Sequence, residues 1–169
     1  LMPVDHEQIY LGFDPGGDKK FGVVILDGNY IKASTVSTVD DAMKWAIQEC
    51  GSRRPIAAGI DTLLHWATGR SGFRRCDLKL RKKYKKIELS IMAPNSLFGA
   101  MAIGGMALAI RLREKWPGIV LNETHPKVLL QQQRCKQYDA KDQTTVQEAI
   151  QWFIDQGRYV DPKITGEHE

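Results

Sequence analysis

Three short apolar segments of this chain each run into a carboxylate, and that recurrence leaves few ways for the chain to fold. Tyr10-Leu11-Gly12-Phe13 leads into Asp14, Ile56-Ala57-Ala58-Gly59-Ile60 into Asp61, and Ile119-Val120-Leu121-Asn122 into Glu123. Runs of this length and composition predict buried strands, most naturally in a parallel sheet. If the three strands are parallel neighbours, all three acids gather at one carboxyl edge, where open α/β sheets keep their sites. Neighbouring strands lie about 4.8 Å apart, so the outer two carboxylates start only ~10 Å from each other. Clustered carboxylates repel unless protons or divalent cations intervene. The pattern therefore predicts a Mg²⁺ or Mn²⁺ site on Asp14, Asp61 and Glu123. A plainer use is also open to each acid, which is to cap the loop or helix after its strand.

At 169 residues the chain has room for one packed domain over 1–169 and not for two of ordinary size. A hydrophobic share of 43% and a charged share of 26% fit a globular domain in water. No apolar stretch approaches the ~18 residues that would cross a bilayer, so no membrane partner is expected. Residues 1–8 have neither the basic flank nor the apolar core of a signal peptide. Cys50, Cys76 and Cys135 are odd in number, widely spaced and without metal-type spacing. They fit reduced thiols, and with them a cytoplasmic location. The net charge of +4 hides a strong local bias: Arg74, Arg75, Lys79, Arg81, Lys82, Lys83, Lys85 and Lys86 crowd residues 74–86 against Asp77 alone. Such a block makes either a solvated helix face or a patch for phosphate backbones, whose binding would weaken steeply with salt.

The order of elements follows from turns and periodicity. Asp14-Pro15-Gly16-Gly17-Asp18 and Asp27-Gly28-Asn29 are turn signals that separate a first strand from strands at 21–26 and 30–36. Thr38 or Asp40 can cap a helix over 41–50, and Gly51 stops it. Pro55 opens the next strand. Residues 62–95 form a less regular basic insert that contains a helix. A long apolar helix over 97–115 carries Gly99, Ala100, Gly104, Gly105 and Ala109, small residues that let it sit close to a sheet. After the strand to Glu123 come a short helix through Gln133 and an amphipathic one over 142–156, with Val146, Ala149, Ile150, Phe153 and Ile154 on one side. Three antiparallel strands followed by αβαβ units predict a ribonuclease H-like α/β arrangement. Its mixed five-stranded sheet is flanked by helices, with the first strand central beside the strand to Asp61, which adjoins the strand to Glu123.

Several local segments stand in an order that resembles a known family. They are Gly12-Phe13-Asp14, Gly59-Ile60-Asp61, Phe73-Arg74-Arg75-Cys76-Asp77-Leu78-Lys79-Leu80-Arg81, Gly104-Gly105-Met106-Ala107-Leu108-Ala109 and Asn122-Glu123-Thr124-His125-Pro126-Lys127. Together they resemble domain-of-unknown-function family 429, a group of predicted nucleases with a ribonuclease H-like fold, over roughly residues 9 to 130. The resemblance implies that Asp14, Asp61 and Glu123 are the family's three strand-end acids. It sets Arg75, Asp77 and Arg81 on an Arg-x-Asp-x-x-x-Arg pattern, whose last two members would be an i,i+4 pair on a helix. Such a pair would either order the insert or touch substrate. The family usually finishes with a helix opening on Asp-Ala, a fourth acid. This chain stops at Gly166-Glu167-His168-Glu169, so the comparison leads one to expect a natural continuation and one sheet face left uncovered without it. Asp142 and Glu148 are substitutes on an earlier helix.

The chemistry expected is phosphodiester hydrolysis with two divalent ions ~3.5–4 Å apart. Asp14 would be shared, and Asp61 and Glu123 would each hold one side. Oxygen donors suit Mg²⁺ or Mn²⁺. His125 or His168 could shuttle protons. Arg74, Arg75, Lys79, Arg81, Lys82 and Lys83, with Phe73 and Tyr84 among them, would track a nucleic-acid backbone without reading bases. Trp66 would stack a base or anchor its loop. Three other classes compete. The segment from Leu11 to Val24 also looks like the phosphate-loop hairpin of sugar kinases and actin-like ATPases, which need a second such domain. Its Gly-x-Asp-Pro-Gly start is similar to Holliday junction resolvases, which carry a Glu after the fourth strand. A non-catalytic ribonuclease H-like module that binds nucleic acid or a partner would keep the acids for folding.

Overall fold

A computed structural model of the chain describes residues 8–94, 99–133, 139 and 141–162. The first three strands are β1 (Ile9–Asp14), β2 (Phe21–Asp27) and β3 (Tyr30–Val36), an antiparallel meander. Helix α1 (Val39–Cys50) follows, with the Thr38 hydroxyl accepting from the Asp41 N–H at 3.1 Å as its cap. Then come β4 (Ala57–Ile60), α2 (Arg75–Lys83), a 3₁₀ segment (Lys85–Ser90), α3 (Gly99–Lys115), β5 (Val120–Glu123), α4 (Pro126–Gln132), α5 (Gln143–Asp155) and β6 (Tyr159–Val160). The expected start of α3 at Leu97 and its Pro94-Asn95-Ser96 cap fall partly outside the described residues.

The result is an α/β fold on a mixed sheet of order β5-β4-β1-β2-β3-β6. β1, β4 and β5 are parallel neighbours, as their sequences predict. The sheet has six strands rather than five. After α5 the chain turns at Gly157, and Tyr159–Val160 adds parallel to β3 through Tyr159 N–H to Asn29 O at 2.8 Å and Asp161 N–H to Ile31 O at 2.9 Å. Tyr30 and Tyr159 stack across that pair with centroids 5.4 Å apart. A two-residue strand has no periodicity to betray it, and only the neighbouring edge defines it.

The core lies on one face of the sheet. Ile9, Leu11 and Phe13 alternate toward it, with Val23, Ile25 and Ile60 beside them and Ala46, Leu108 and Leu112 of α1 and α3 above. Burying each large side chain there contributes ~1.5–3 kcal/mol. Arg111 of α3 ties to Asp40 at the start of α1 at 2.6 Å. β5 is not the fully buried strand its apolar run suggests. It is a sheet edge, with Val120 55% exposed while Ile119 and Leu121 pack inward. The other face carries α4 and α5, which leave an apolar cavity of about 400 Å³ between Gly12, Val24 and Ala33 of the sheet and Val146, Ala149 and Phe153 of α5. Ile154, expected on that apolar side, is 45% exposed. No helix among the described residues is long and apolar enough to cross a membrane.

Candidate functional site

The carboxyl ends of β1, β4 and β5 open into a cavity of about 660 Å³ that Asp14, Asp61 and Glu123 all line. Strand register decides how the three acids face. Phe13 pairs with Ile60 and Ile60 with Glu123, while the Asp61 N–H donates to Phe13 O at 2.8 Å. Asp14 and Asp61 are thus in step, whereas Glu123 sits one residue earlier, level with Ile60. A one-residue offset turns a side chain to the other face of a sheet. Within the same cavity the Glu123 carboxylate has other partners: its Oε1 accepts from the Leu64 N–H and from Arg74 Nη1, both at 2.6 Å. The expected convergence is therefore partial. Among the described residues, no group of three or more His, Cys, Asp or Glu side chains is disposed to hold a metal ion.

Asp14 and Asp61 do interact. Burial, then the charge of Asp14, pushes the Asp61 carboxyl up to about 7, with Lys127 pulling the other way. A buried carboxylate whose ionisation is opposed by burial and by a neighbouring carboxylate makes, with that neighbour, a fitting pair of oxygen donors for a divalent cation. The donor set fits such an ion through Asp14 and Asp61, while Glu123, which lines the same cavity, has its Oε1 taken by Arg74 and by the Leu64 N–H. Helix α3 sets the position of Asp61. The next residue, Thr62, is buried, and a Cβ added to Gly105 would lie 2.0 Å from the Thr62 methyl.

The turn after Asp14 is closed by its own backbone. Lys20 N–H donates to Gly17 O at 3.0 Å, and a Cβ on Gly16 would lie 1.8 Å from Lys20 O. Glycine is needed there by that close approach, without reference to any phosphate.

The basic stretch divides into three parts. Arg74 lines the cavity and grips Asp77 through Nε and Nη2 at 3.0 and 2.9 Å while reaching Glu123. Asp77, almost fully buried, also accepts from the Arg74 backbone N–H at 2.9 Å. Burial alone would raise the Asp77 carboxyl; the bonds from Arg74 outweigh it and hold the group below the usual range. The i,i+4 partner predicted for Asp77 was Arg81, but Arg74 lies closer in the turn that opens α2. Arg81 instead donates to Glu88 O and Ile91 O at 2.5 and 2.8 Å and lies 4.8 Å over the Phe73 ring, which fastens the insert. Arg75, Lys79, Lys82 and Lys83 lie on the exposed surface of α2, away from the cavity wall.

His125 lines the same cavity. Its Nε2 lies 3.2 Å from Ser90 O, a contact that requires the Nε2–H tautomer, and its buried Nδ1 has no partner. Burial lowers its pKa, so the ring is neutral at pH 7. His168 lies outside the described residues. Trp66 is 58% exposed, which leaves the buried Ala67 to anchor that loop. Lys127, which lines the cavity and acts on Asp61, was missed as a site residue. Its sequence signal was only its place in the first turn of α4 after Pro126. No protein family, curated protein or solved structure matches the chain.

Proposed function

We propose that this protein is a Mg²⁺- or Mn²⁺-dependent phosphodiesterase that hydrolyses nucleic acid in the cytoplasm, on a ribonuclease H-like fold related to domain-of-unknown-function family 429. The observation that carries the reading is the pair Asp14 and Asp61, in step on adjacent parallel strands, with burial and the charge of Asp14 pushing the Asp61 carboxyl up to about 7. The strand order β5-β4-β1-β2-β3 within the sheet and the ordered motifs between residues 9 and 130 support the fold assignment.

In this reading Asp14 and Asp61 hold the cation, and Glu123 completes the set. Bound divalent ions would supply a water of lowered pKa and stabilise the leaving oxygen. His125 accepts a proton at Nδ1 while the Ser90 carbonyl fixes its ring. Lys127 and Arg74, which both line the cavity, present positive charge to the phosphate. Arg75, Lys79, Lys82 and Lys83, exposed on α2, steer the polyanion toward the edge.

Calorimetric titration with Mn²⁺ tests the core of this. Binding to the wild type that vanishes in Asp14→Asn, together with salt-sensitive cleavage of an oligonucleotide, is the expected result. Absence of Mn²⁺ binding in the wild type overturns it. The engagement of Glu123 by Arg74 favours one other reading, a nucleic-acid-binding module without turnover. That module would bind oligonucleotide equally well in the wild type and in Asp14→Asn, and cleave it in neither.

A further inference from the structure

We propose, resting on that function, that Arg74 is a latch worked by the substrate's phosphate. It keeps Glu123 off the cation until a phosphodiester takes its outer nitrogen, so that cation and phosphate bind cooperatively.

The guanidinium has two working sides. Nε and Nη2 form a two-pronged grip on Asp77, whose side chain is only 3% exposed, and the Arg74 backbone N–H adds a third bond to the same carboxylate. This grip caps the start of α2 and has no need of Glu123. Nη1 is the other arm, and it supplies the charged one of the two bonds to Glu123 Oε1, the second coming from the Leu64 N–H, each at 2.6 Å. An arginine carries five N–H donors in a rigid fork, so one arm can change partner while the other stays anchored. A phosphodiester entering the cavity meets that arm along the wall, and Arg–phosphate bonding is as strong as Arg–carboxylate bonding.

Glu123 is placed to respond. It is a glutamate at the end of an edge strand, with a side chain one methylene longer than those of Asp14 and Asp61. It is one residue out of step with Asp61 and yet lines the same cavity. Rotation of that side chain, without any shift of β5, changes which neighbour it serves. The charges couple the two events. A phosphate on Arg74 leaves Glu123 without its cation, which raises the affinity of the Asp14–Asp61 pair for a divalent ion. An ion that recruits Glu123 leaves the Arg74 arm open for phosphate. Each ligand must then strengthen the other by the same factor.

The test is Mn²⁺ calorimetry at matched ionic strength with increasing dimethyl phosphate, a phosphodiester monoanion too small to reach α2. Wild-type affinity for Mn²⁺ should rise roughly 5- to 10-fold, within the usual span of coupling between sites. Arg74→Lys keeps a charge for Asp77 but lacks the fork, and its Mn²⁺ affinity should no longer respond. Glu123→Gln retains an oxygen for the Leu64 N–H and should also lose the response, so it carries the test if Arg74→Lys fails to fold. A response that persists in Glu123→Gln would mean that phosphate bridges directly to the ion and would overturn the latch. Mn²⁺ binding indifferent to dimethyl phosphate in the wild type overturns the latch alone and leaves the phosphodiesterase standing. No Mn²⁺ binding at all removes both.

Discussion

Asp61 and Arg74 carry opposite kinds of electrostatic strain, and each gives a direct prediction. The Asp61 carboxyl ionises near 7 in the folded protein against an ordinary value of 3.8. The folded state therefore keeps a proton that the unfolded chain has already released, and stability falls as pH rises from about 4 to about 7. By linkage the full effect is at most about 4 kcal/mol, and partial solvent access at the site reduces it. In metal-free buffer, Asp61→Asn should flatten the decline in Tm between pH 5 and 8, and should exceed the wild type in Tm at pH 8. A steeper decline in the variant would contradict the assignment. His125 works in the opposite sense, because its lowered pKa makes its contribution disappear on acidification. The Asp61→Asn difference separates the two. Arg74 is different in kind, since removing it strands the buried carboxylate of Asp77. Arg74→Ala should lose about 3 kcal/mol, seen as a Tm lowered by roughly 10 °C.

At the scale of elements, α3 decides where Asp61 stands. The helix is rich in small residues, and its two adjacent glycines differ in what they permit. A Cβ at Gly105 would collide with Thr62, the residue after Asp61, whereas one at Gly104 would lie 3.9 Å from Val39 and 4.0 Å from Pro15, ordinary contact. Gly104→Ala should thus raise stability by up to ~1 kcal/mol through helix propensity. Gly105→Ala should lower it by ~1–3 kcal/mol through overpacking, and should weaken Mn²⁺ binding as the Asp61 turn is displaced. Thermal unfolding of the pair, made side by side, checks both signs. Equal effects would mean that α3 does not position that turn. The β4–β5 pair is similarly close, because a Cβ on Gly59 would lie 2.6 Å from the Thr124 methyl.

For the molecule as a whole, the two faces of the sheet are unequally filled. The α1–α3 side is a continuous core, while the α4–α5 side encloses an apolar cavity of about 400 Å³. A truncation where the surroundings are already open removes fewer contacts. Leu108→Ala, in the full core, should lose ~2–5 kcal/mol. Ile150→Ala, on the cavity wall, should lose less than half as much in denaturant titration. Comparable losses would mean that α5 is packed as tightly as α3.

Local chemistry determined most of what is local here. Strand-end acids, turn glycines and the Thr38 cap were legible because each depends on neighbours in the chain, and so was the parallel placing of β1, β4 and β5. Lys127 and β6 were not, because neither has meaning until a distant element lies beside it. The basic stretch could be seen as a charge block, but its division into a buried grip at Arg74, a brace at Arg81 and an exposed face of lysines is a matter of what α2 packs against. The site turns on the same distinction. That Asp14, Asp61 and Glu123 would reach one edge follows from three short segments of sequence. That Asp61 faces Asp14 while Glu123 faces Arg74 follows from a one-residue offset between β4 and β5, which hydrogen-bond register sets and no linear pattern records.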